Sequence, residues 1–229
     1  MNKNLSLKEH LFLFDIDGTI LDSKGAGKQA FIQSFKKALG IIIDHDINFL
    51  GGIDNVIFKE LYLSKNLPEE KLDEGWELFQ HEYIKIISSN SKDEGWQIFD
   101  NVDKIIELLY EISNIALVTG NIKEGAIVKL NKVKLDHFFQ CGGFGDHVLT
   151  REELVQEAIC SSEKYFNKEF NKKNIYLFGD TEKDVNSAIN NNIIPILIDP
   201  KKRYINEYKK WNVEYHNDFS KILSFIKHI

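Results

Sequence analysis

The chain has 229 residues, of which 43% are hydrophobic and 28% are charged, and its formal net charge at pH 7 is −6. This length allows one well-packed domain with a smaller appendage, and the composition excludes a disordered or fibrous chain. An acidic chain has no general attraction to phosphate backbones or anionic membranes, so neither nucleic acid nor a membrane is indicated as a partner. The two cysteines, Cys141 and Cys160, lack the spacing of a zinc site or a disulfide framework.

The N-terminal segment contains a short apolar run that ends in two carboxylates, Asp15 and Asp17. Such a run is too short for a transmembrane helix and does not have the organisation of a signal peptide. We therefore expect a cytoplasmic location.

Short apolar runs bounded by turn-forming residues predict the buried strands of a sheet. Four runs have this form, at Leu11–Phe14, 115–118, 175–178 and 193–198, with a weaker fifth at 138–141. Segments with helical spacing separate or follow them, at 102–111, 124–132, 152–165 and 183–191. The tail, residues 212–229, offers a short strand and an amphipathic helix. Alternating strands and helices predict an α/β fold with a doubly wound parallel sheet.

The interval between the first two strands is long and almost entirely helical in its pattern. Apolar residues recur there at a spacing near 3.6, first around Phe31 and Phe35 and later around Phe79 and Tyr83. This pattern predicts an inserted helical cap. We therefore divide the chain into a core, residues 1–22 plus 100–229, and a cap, residues 23–99.

Polar residues follow three of the predicted strands directly. They are Asp15 and Asp17 after Leu11–Phe14, Thr119, Gly120 and Asn121 after 115–118, and Asp180 and Asp184 after 175–178. The carboxyl ends of parallel strands meet at one edge of a sheet, where ligands bind. We therefore expect these residues to converge.

Several carboxylates at one edge would repel one another unless a cation shared the site. Ligands that are all oxygen favour Mg²⁺, which takes one or two carboxylates together with phosphate oxygens. The Thr119 hydroxyl and the amides of Gly120 and Asn121 can donate to a phosphate. Each segment alone is also typical of a turn or a helix N-cap, but three such segments at three strand ends favour a magnesium-assisted phosphate site.

Three segments carry a family pattern in the order of the strands: FDIDGTILDS, LVTGN and FGDTEKDV. With a helical insertion after the first of them, the sequence resembles the haloacid dehalogenase superfamily, in particular its phosphoglycolate phosphatase-like and β-phosphoglucomutase-like members. The resemblance spans nearly the whole chain and implies a Rossmann-like core.

This resemblance implies a magnesium-dependent phosphatase that acts on a small phosphorylated metabolite. Asp15 is then the nucleophile that forms an aspartyl phosphate, and Asp17 is the general acid and base. The implied Mg²⁺ ligands are Asp15, Asp180 and the main-chain carbonyl of Asp17, with Asp184 in support. Thr119 orients the phosphoryl oxygens.

The third, basic motif of this family usually centres on a lysine, whereas the segment FGDHVLTREELVQEA offers Arg151. Arg151 lies just inside a helix that Thr150 could cap, and we expect it to bind the phosphoryl group. Lys164 and Lys172 are alternatives, and a surface arginine on an amphipathic helix remains open.

In the cap, Gly51, Gly52 and Asp54 resemble a family segment that meets the substrate, although a plain turn between helices is an equally open interpretation. Nothing near Lys201, Lys202 and Arg203 in the sequence pairs with them, so we expect a solvated turn there.

Two other functions stay open. A phosphomutase of the β-phosphoglucomutase type uses the same Asp15 and Asp17 but returns the phosphoryl group to the substrate. A noncatalytic binding protein could keep the fold. A haloacid dehalogenase is disfavoured, because that chemistry does not use the second aspartate of the first motif.

Overall fold

The computed structural model describes residues 6–44, 47–89 and 95–229. Its strands within these residues are β1 (Leu11–Phe14), β2 (Leu21–Asp22), β3 (Gln97–Ile98), β4 (Asn114–Val118), β5 (Gly142–Gly143), β6 (Ile175–Gly179), β7 (Ile194–Ile198) and β8 (Glu214–His216). Six of them form one parallel sheet in the order β5-β4-β1-β6-β7-β8, and β2 pairs with β3 separately. The sequence therefore predicted the main sheet correctly.

Helices flank this sheet and fill the interval between β2 and β3. In the described residues they are α1 (Ala26–Leu39), α2 (Asp54–Ser64), α3 (Leu72–Ser89), α4 (Val102–Ile112), α5 (Lys123–Lys132), α6 (Arg151–Phe166), α7 (Glu182–Asn190), α8 (Tyr208–Trp211) and α9 (Ile222–Ile226). The fold is an α/β, Rossmann-like architecture with a helical insertion, as the sequence predicted.

The central strand β1 shows why the sheet is buried on both faces. Its side chains alternate: Phe12 and Phe14 pack in one hydrophobic cluster, and Leu11 and Leu13 pack in another on the opposite face. All four are fully buried. A strand covered by helices on both sides reads as a continuous apolar run, which is why LFLF was recognisable from sequence.

The weaker strand prediction, at 138–141, does not match a strand. The strand β5 begins directly after these residues and is Gly142–Gly143. A Cβ atom at Gly142 would lie 2.7 Å from the Leu117 carbonyl oxygen, and one at Gly143 would collide with the Leu154 carbonyl oxygen. Backbone therefore packs directly against the neighbouring strand and helix here, and glycine is required. The aromatic residues before it, Phe138 and Phe139, instead pack against the core cluster.

The inserted helices α1, α2 and α3 supply most of a separate hydrophobic cluster, to which Ile122 from the core segment also contributes. Its centre is aromatic: Phe31 and Phe79 lie 4.5 Å apart between ring centroids, and Phe58 and Tyr83 pack on either side. The chain enters and leaves this insertion through the antiparallel pair β2 and β3. The division at residues 22/23 and 99/100 stays a prediction.

The tail forms the short strand β8 and the helix α9, as expected. Among the described residues, no helix is both long enough and apolar enough to span a membrane.

Candidate active site

The loop after β1 turns sharply and presents two aspartates. Asp15 is 6% exposed, and its N–H donates to the carbonyl of Phe178 across the sheet edge at 2.9 Å. Gly18 has φ 94° and approaches the Asp180 carboxylate so closely that a Cβ atom there would collide with it. Glycine therefore lets the first loop lie against the loop after β6.

The loop after β6 supplies the other two carboxylates. Thr181 caps α7: its hydroxyl accepts from the Asp184 N–H, and the Asp184 carboxylate accepts from the N–H of Thr181 at 3.0 Å. This capping box fixes the side chain of Asp184. Carboxylate oxygens of Asp15, Asp180 and Asp184 consequently lie within 4.8 Å of one another, all in buried residues.

The raised pKa values of these carboxylates reflect the cost of crowding negative charge in a buried site, a cost that a cation would reduce. The pKa of Asp15 is raised to about 7, chiefly by burial and also by the nearby Asp180 and Asp17, against the opposing effect of Arg151. Burial also raises the pKa of Asp180 to about 6. Within the described part of the chain, the buried Oδ1 of Asp180 has no hydrogen-bond partner. Hard oxygen donors that are crowded and incompletely paired fit Mg²⁺.

Thr119 lies fully buried at the end of β4, where the sequence placed the phosphate-binding hydroxyl. Its Oγ1 accepts from the side-chain Nδ2 of Asn121 at 2.7 Å and from the Asn121 N–H at 3.3 Å. The hydroxyl proton of Thr119 therefore remains available to a phosphate oxygen. Asn121 also donates from Nδ2 to Asp17 Oδ2 at 2.7 Å, a contact that the sequence did not predict.

Arg151 is buried, so it is not a surface arginine on an amphipathic helix. It begins α6 after Thr150, whose side chain forms a capping box with Glu153. The Arg151 guanidinium forms an ion pair with Asp184, and its Nη2 lies 3.8 Å from Asp15 Oδ1. The structure thus brings Arg151 to the nucleophile candidate, whereas Lys164 and Lys172 are exposed.

Lys129 is a buried cation at the site that sequence reasoning missed. Its Nζ donates to Asp17 Oδ2 at 2.6 Å and to Asn121 Oδ1 at 2.5 Å. The sequence did contain a signal for the burial of this lysine, because Lys129 interrupts the apolar face of α5 formed by Ala126 and Leu130.

The expectation of a solvated turn at Lys201–Arg203 was wrong for Arg203. Arg203 forms an ion pair with Asp180 and donates to the Asp180 main-chain carbonyl at 2.9 Å. Lys201 is exposed in a turn, as expected, although its Nζ lies 3.0 Å from Asp22 Oδ2. Each cation is distant in sequence from the carboxylate that it pairs with, so local sequence patterns could not predict either ion pair.

The cap segment lies against the core loop that carries Gly120. The Asp54 N–H donates to the Gly120 carbonyl at 2.8 Å, and the Asp54 carboxylate accepts from the Ile122 N–H at 3.0 Å. A Cβ atom at Gly120 would collide with the Gly52 carbonyl oxygen. Gly51, Gly52 and Asp54 also line a pocket of about 250 Å³ together with Asp15, Asp17 and Thr119. Their contact with substrate stays a prediction.

Asp54 gives a prediction about stability and pH. Burial raises its pKa to about 6 from an ordinary value of 3.8, so the folded chain keeps a proton that the unfolded chain has lost. The contribution of this group to the free energy of unfolding therefore falls as pH rises from about 4 to about 6. Because an asparagine in this place would keep an acceptor for the Ile122 N–H without a charge, Asp54→Asn should be more stable than the wild type by ~1 kcal/mol at about pH 8.

Urea unfolding of both proteins at about pH 5 and about pH 8 measures this effect. The difference between the two proteins should shrink at the lower pH, where Asp54 itself is protonated. A difference that did not change with pH would contradict the assignment of a destabilising charge to Asp54. Asp15 and Asp180 titrate in both proteins, so their contributions cancel when the two free energies of unfolding are compared at the same pH.

The family model described as haloacid dehalogenase-like hydrolase matches residues 12–198. The match includes the loops after β1, β4 and β6 and the inserted helices. The chain therefore belongs to the haloacid dehalogenase-like hydrolase family.

Solved structures share this fold over nearly their full length. A predicted phosphoglycolate phosphatase from Haemophilus somnus is 17% identical, with coverage of 97% of this chain and 99% of that one and a TM-score of 0.67. A predicted phosphatase from Clostridium acetobutylicum is 20% identical, with coverage of 96% and 99% and a TM-score of 0.66. A candidate β-phosphoglucomutase from Thermotoga maritima is 16% identical, with coverage of 96% and 99% and a TM-score of 0.61. No curated protein gave a significant match.

Proposed function

We propose that this hydrolase is a magnesium-dependent phosphatase that hydrolyses a small phosphate monoester through an aspartyl phosphate on Asp15. The observation that carries the proposal is the convergence of Asp15 with Asp180 and Asp184, whose carboxylate oxygens lie within 4.8 Å of one another at the carboxyl edge of the sheet. Two of the structural relatives are described as a predicted phosphatase and a predicted phosphoglycolate phosphatase, which supports this proposal.

The chain's own residues can divide the reaction between them. Asp15 would attack phosphorus and form the acyl phosphate, which replaces one difficult displacement by two easier ones. Arg151 lies close enough to Asp15 to bind the incoming phosphoryl oxygens, and Thr119 offers its hydroxyl proton. Asp17, whose side chain is 40% exposed, would protonate the leaving oxygen and then remove a proton from water.

Asp15, Asp180 and the Asp17 main-chain carbonyl would hold Mg²⁺, with Asp184 in support. Bound there, Mg²⁺ would offset the negative charge shared by the carboxylates and the phosphate ester. Asp184 is the least available of these residues, because Arg151 and Thr181 already occupy both of its carboxylate oxygens.

A panel of phosphate esters tests the proposal directly. Phosphate release should occur with at least one small sugar phosphate, phosphoglycolate or nucleotide, and a phosphorylated enzyme should accumulate in a rapid quench. A phosphomutase would convert a sugar phosphate into its isomer with little phosphate release. A noncatalytic protein would do neither, and that result would overturn the proposal.

Removing the metal should abolish turnover. After dialysis against chelator, activity should return with added Mg²⁺ and be inhibited by Ca²⁺, because calcium accepts a larger and looser coordination shell. Mg²⁺ should also raise the melting temperature of the wild type but not of Asp180→Asn, which reports binding independently of activity. Full activity in excess chelator would remove the metal from the mechanism.

A further inference from the structure

Lys129 is held in an unusual place for a lysine. It lies on α5 with its side chain 5% exposed, and its ammonium group reaches from the helix to the loop after β1. A buried ammonium is costly unless it is paired and hydrogen-bonded. Here Asp17 supplies the opposite charge and Asn121 supplies a second acceptor.

The ammonium determines how Asn121 is oriented. Because an ammonium has only donors, the Asn121 atom that faces Lys129 must be the carbonyl oxygen Oδ1. The amide nitrogen Nδ2 then points to Asp17 and Thr119, at 2.7 Å from each acceptor. Lys129 therefore fixes a donor that contacts both the acid/base candidate and the phosphate-binding candidate.

Asp17 Oδ2 accepts from both Lys129 and Asn121. Two donors on one oxygen restrict rotation of the Asp17 carboxylate. Within residues 6–44, 47–89 and 95–229, no group donates a hydrogen bond to the other oxygen, Asp17 Oδ1. The second oxygen is thus left for proton transfer with the substrate.

We propose that Lys129 is a positioning residue for proton transfer by Asp17, which it holds both directly and through Asn121. This inference rests on the proposed function, since it assigns a role within that reaction. The competing explanation is that Lys129 only docks α5 onto the sheet. A residue that acts through the general acid matters most when the leaving group needs a proton, whereas a docking residue affects all substrates alike.

Phenyl phosphate and 2,4-dinitrophenyl phosphate separate these explanations. The two esters have similar shapes, but phenolate is a much stronger base than dinitrophenolate and needs protonation to depart. In Lys129→Met, which keeps the length of the stem without its donors, kcat/KM should fall ~100-fold for phenyl phosphate and less than ~5-fold for the dinitrophenyl ester. Lys129→Arg should recover part of the loss, and the exposed Lys123→Met on the same helix is the control.

A double-mutant cycle with Asp17→Asn keeps the test informative if Lys129→Met folds poorly. The double variant removes both members of the ion pair together, so neither charge is left without its partner. Adding Lys129→Met to Asp17→Asn should change kcat/KM for phenyl phosphate less than ~3-fold, because the group that it positions is already gone. A full additional loss would overturn the inference.

The remaining outcomes are also decisive. Equal losses on both esters would show that Lys129 only stabilises the site and would overturn its positioning role while leaving the phosphatase intact. A wild-type protein that hydrolysed neither ester, nor any member of the phosphate panel, would overturn the proposed function and this inference with it.

Discussion

Replacing Asp15 with asparagine should lower phosphate release by at least ~10⁴-fold, because an amide cannot form the aspartyl phosphate. The fold should survive the change. Asp15 is almost fully buried and its pKa is raised to about 7, so a neutral side chain of the same volume suits its surroundings. Steady-state phosphate release and thermal unfolding measure the two effects.

Asp73→Asn, which changes an exposed carboxylate on α3, is the matched control and should behave like the wild type. Asp15→Asn should still bind a phosphate ester in the presence of Mg²⁺ by calorimetry, since Arg151 and Thr119 remain. A rate of phosphate release equal to the wild type would exclude Asp15 as the nucleophile.

Arg151→Ala should produce the second large effect, a loss of ~10³-fold in kcat/KM together with a lower free energy of unfolding by ~3 kcal/mol. The guanidinium is buried between Asp184 and Asp15, and its removal leaves those carboxylates without their cation. Arg151→Lys should recover part of the activity, because a lysine supplies the charge without the bidentate geometry of arginine. Urea unfolding separates folding from catalysis.

Lys164→Ala and Lys172→Ala are the controls for Arg151, since both lysines are exposed on the surface. Each should retain nearly full activity. If Arg151→Ala were active while one of these lysine variants was folded but inactive, the third motif would lie elsewhere in the chain.

The sequence predicted those parts of the molecule that depend on local pattern. Apolar runs such as LFLF marked the strands, and a parallel sheet brings strand ends together regardless of their separation in sequence. The sequence alone therefore predicted that Asp15, Thr119 and Asp180 lie close together. The structure confirms the sheet and places these residues around one pocket; their catalytic roles remain predictions.

Long side chains were the part that sequence could not predict. Lys129 and Arg203 reach carboxylates that lie 112 and 23 residues away in the chain. Which carboxylate each cation pairs with depends on the direction in which its helix face or loop points. Neither residue spacing nor composition indicates that direction. The same limit applies to Asp54: a cap residue near the pocket could be predicted, but its contact with the Ile122 amide could not.

The antiparallel pair β2 and β3 has a consequence for how such a protein can change over evolution. Leu21 pairs with Ile98 and Asp22 with Gln97, so the two points where the chain crosses between core and inserted helices lie side by side. An insertion with adjacent ends can be lengthened, exchanged or shortened to a hairpin without breaking the six-stranded sheet. The edge of the sheet that carries the strand-end carboxylates can thereby be combined with different inserted modules while those carboxylates stay in place.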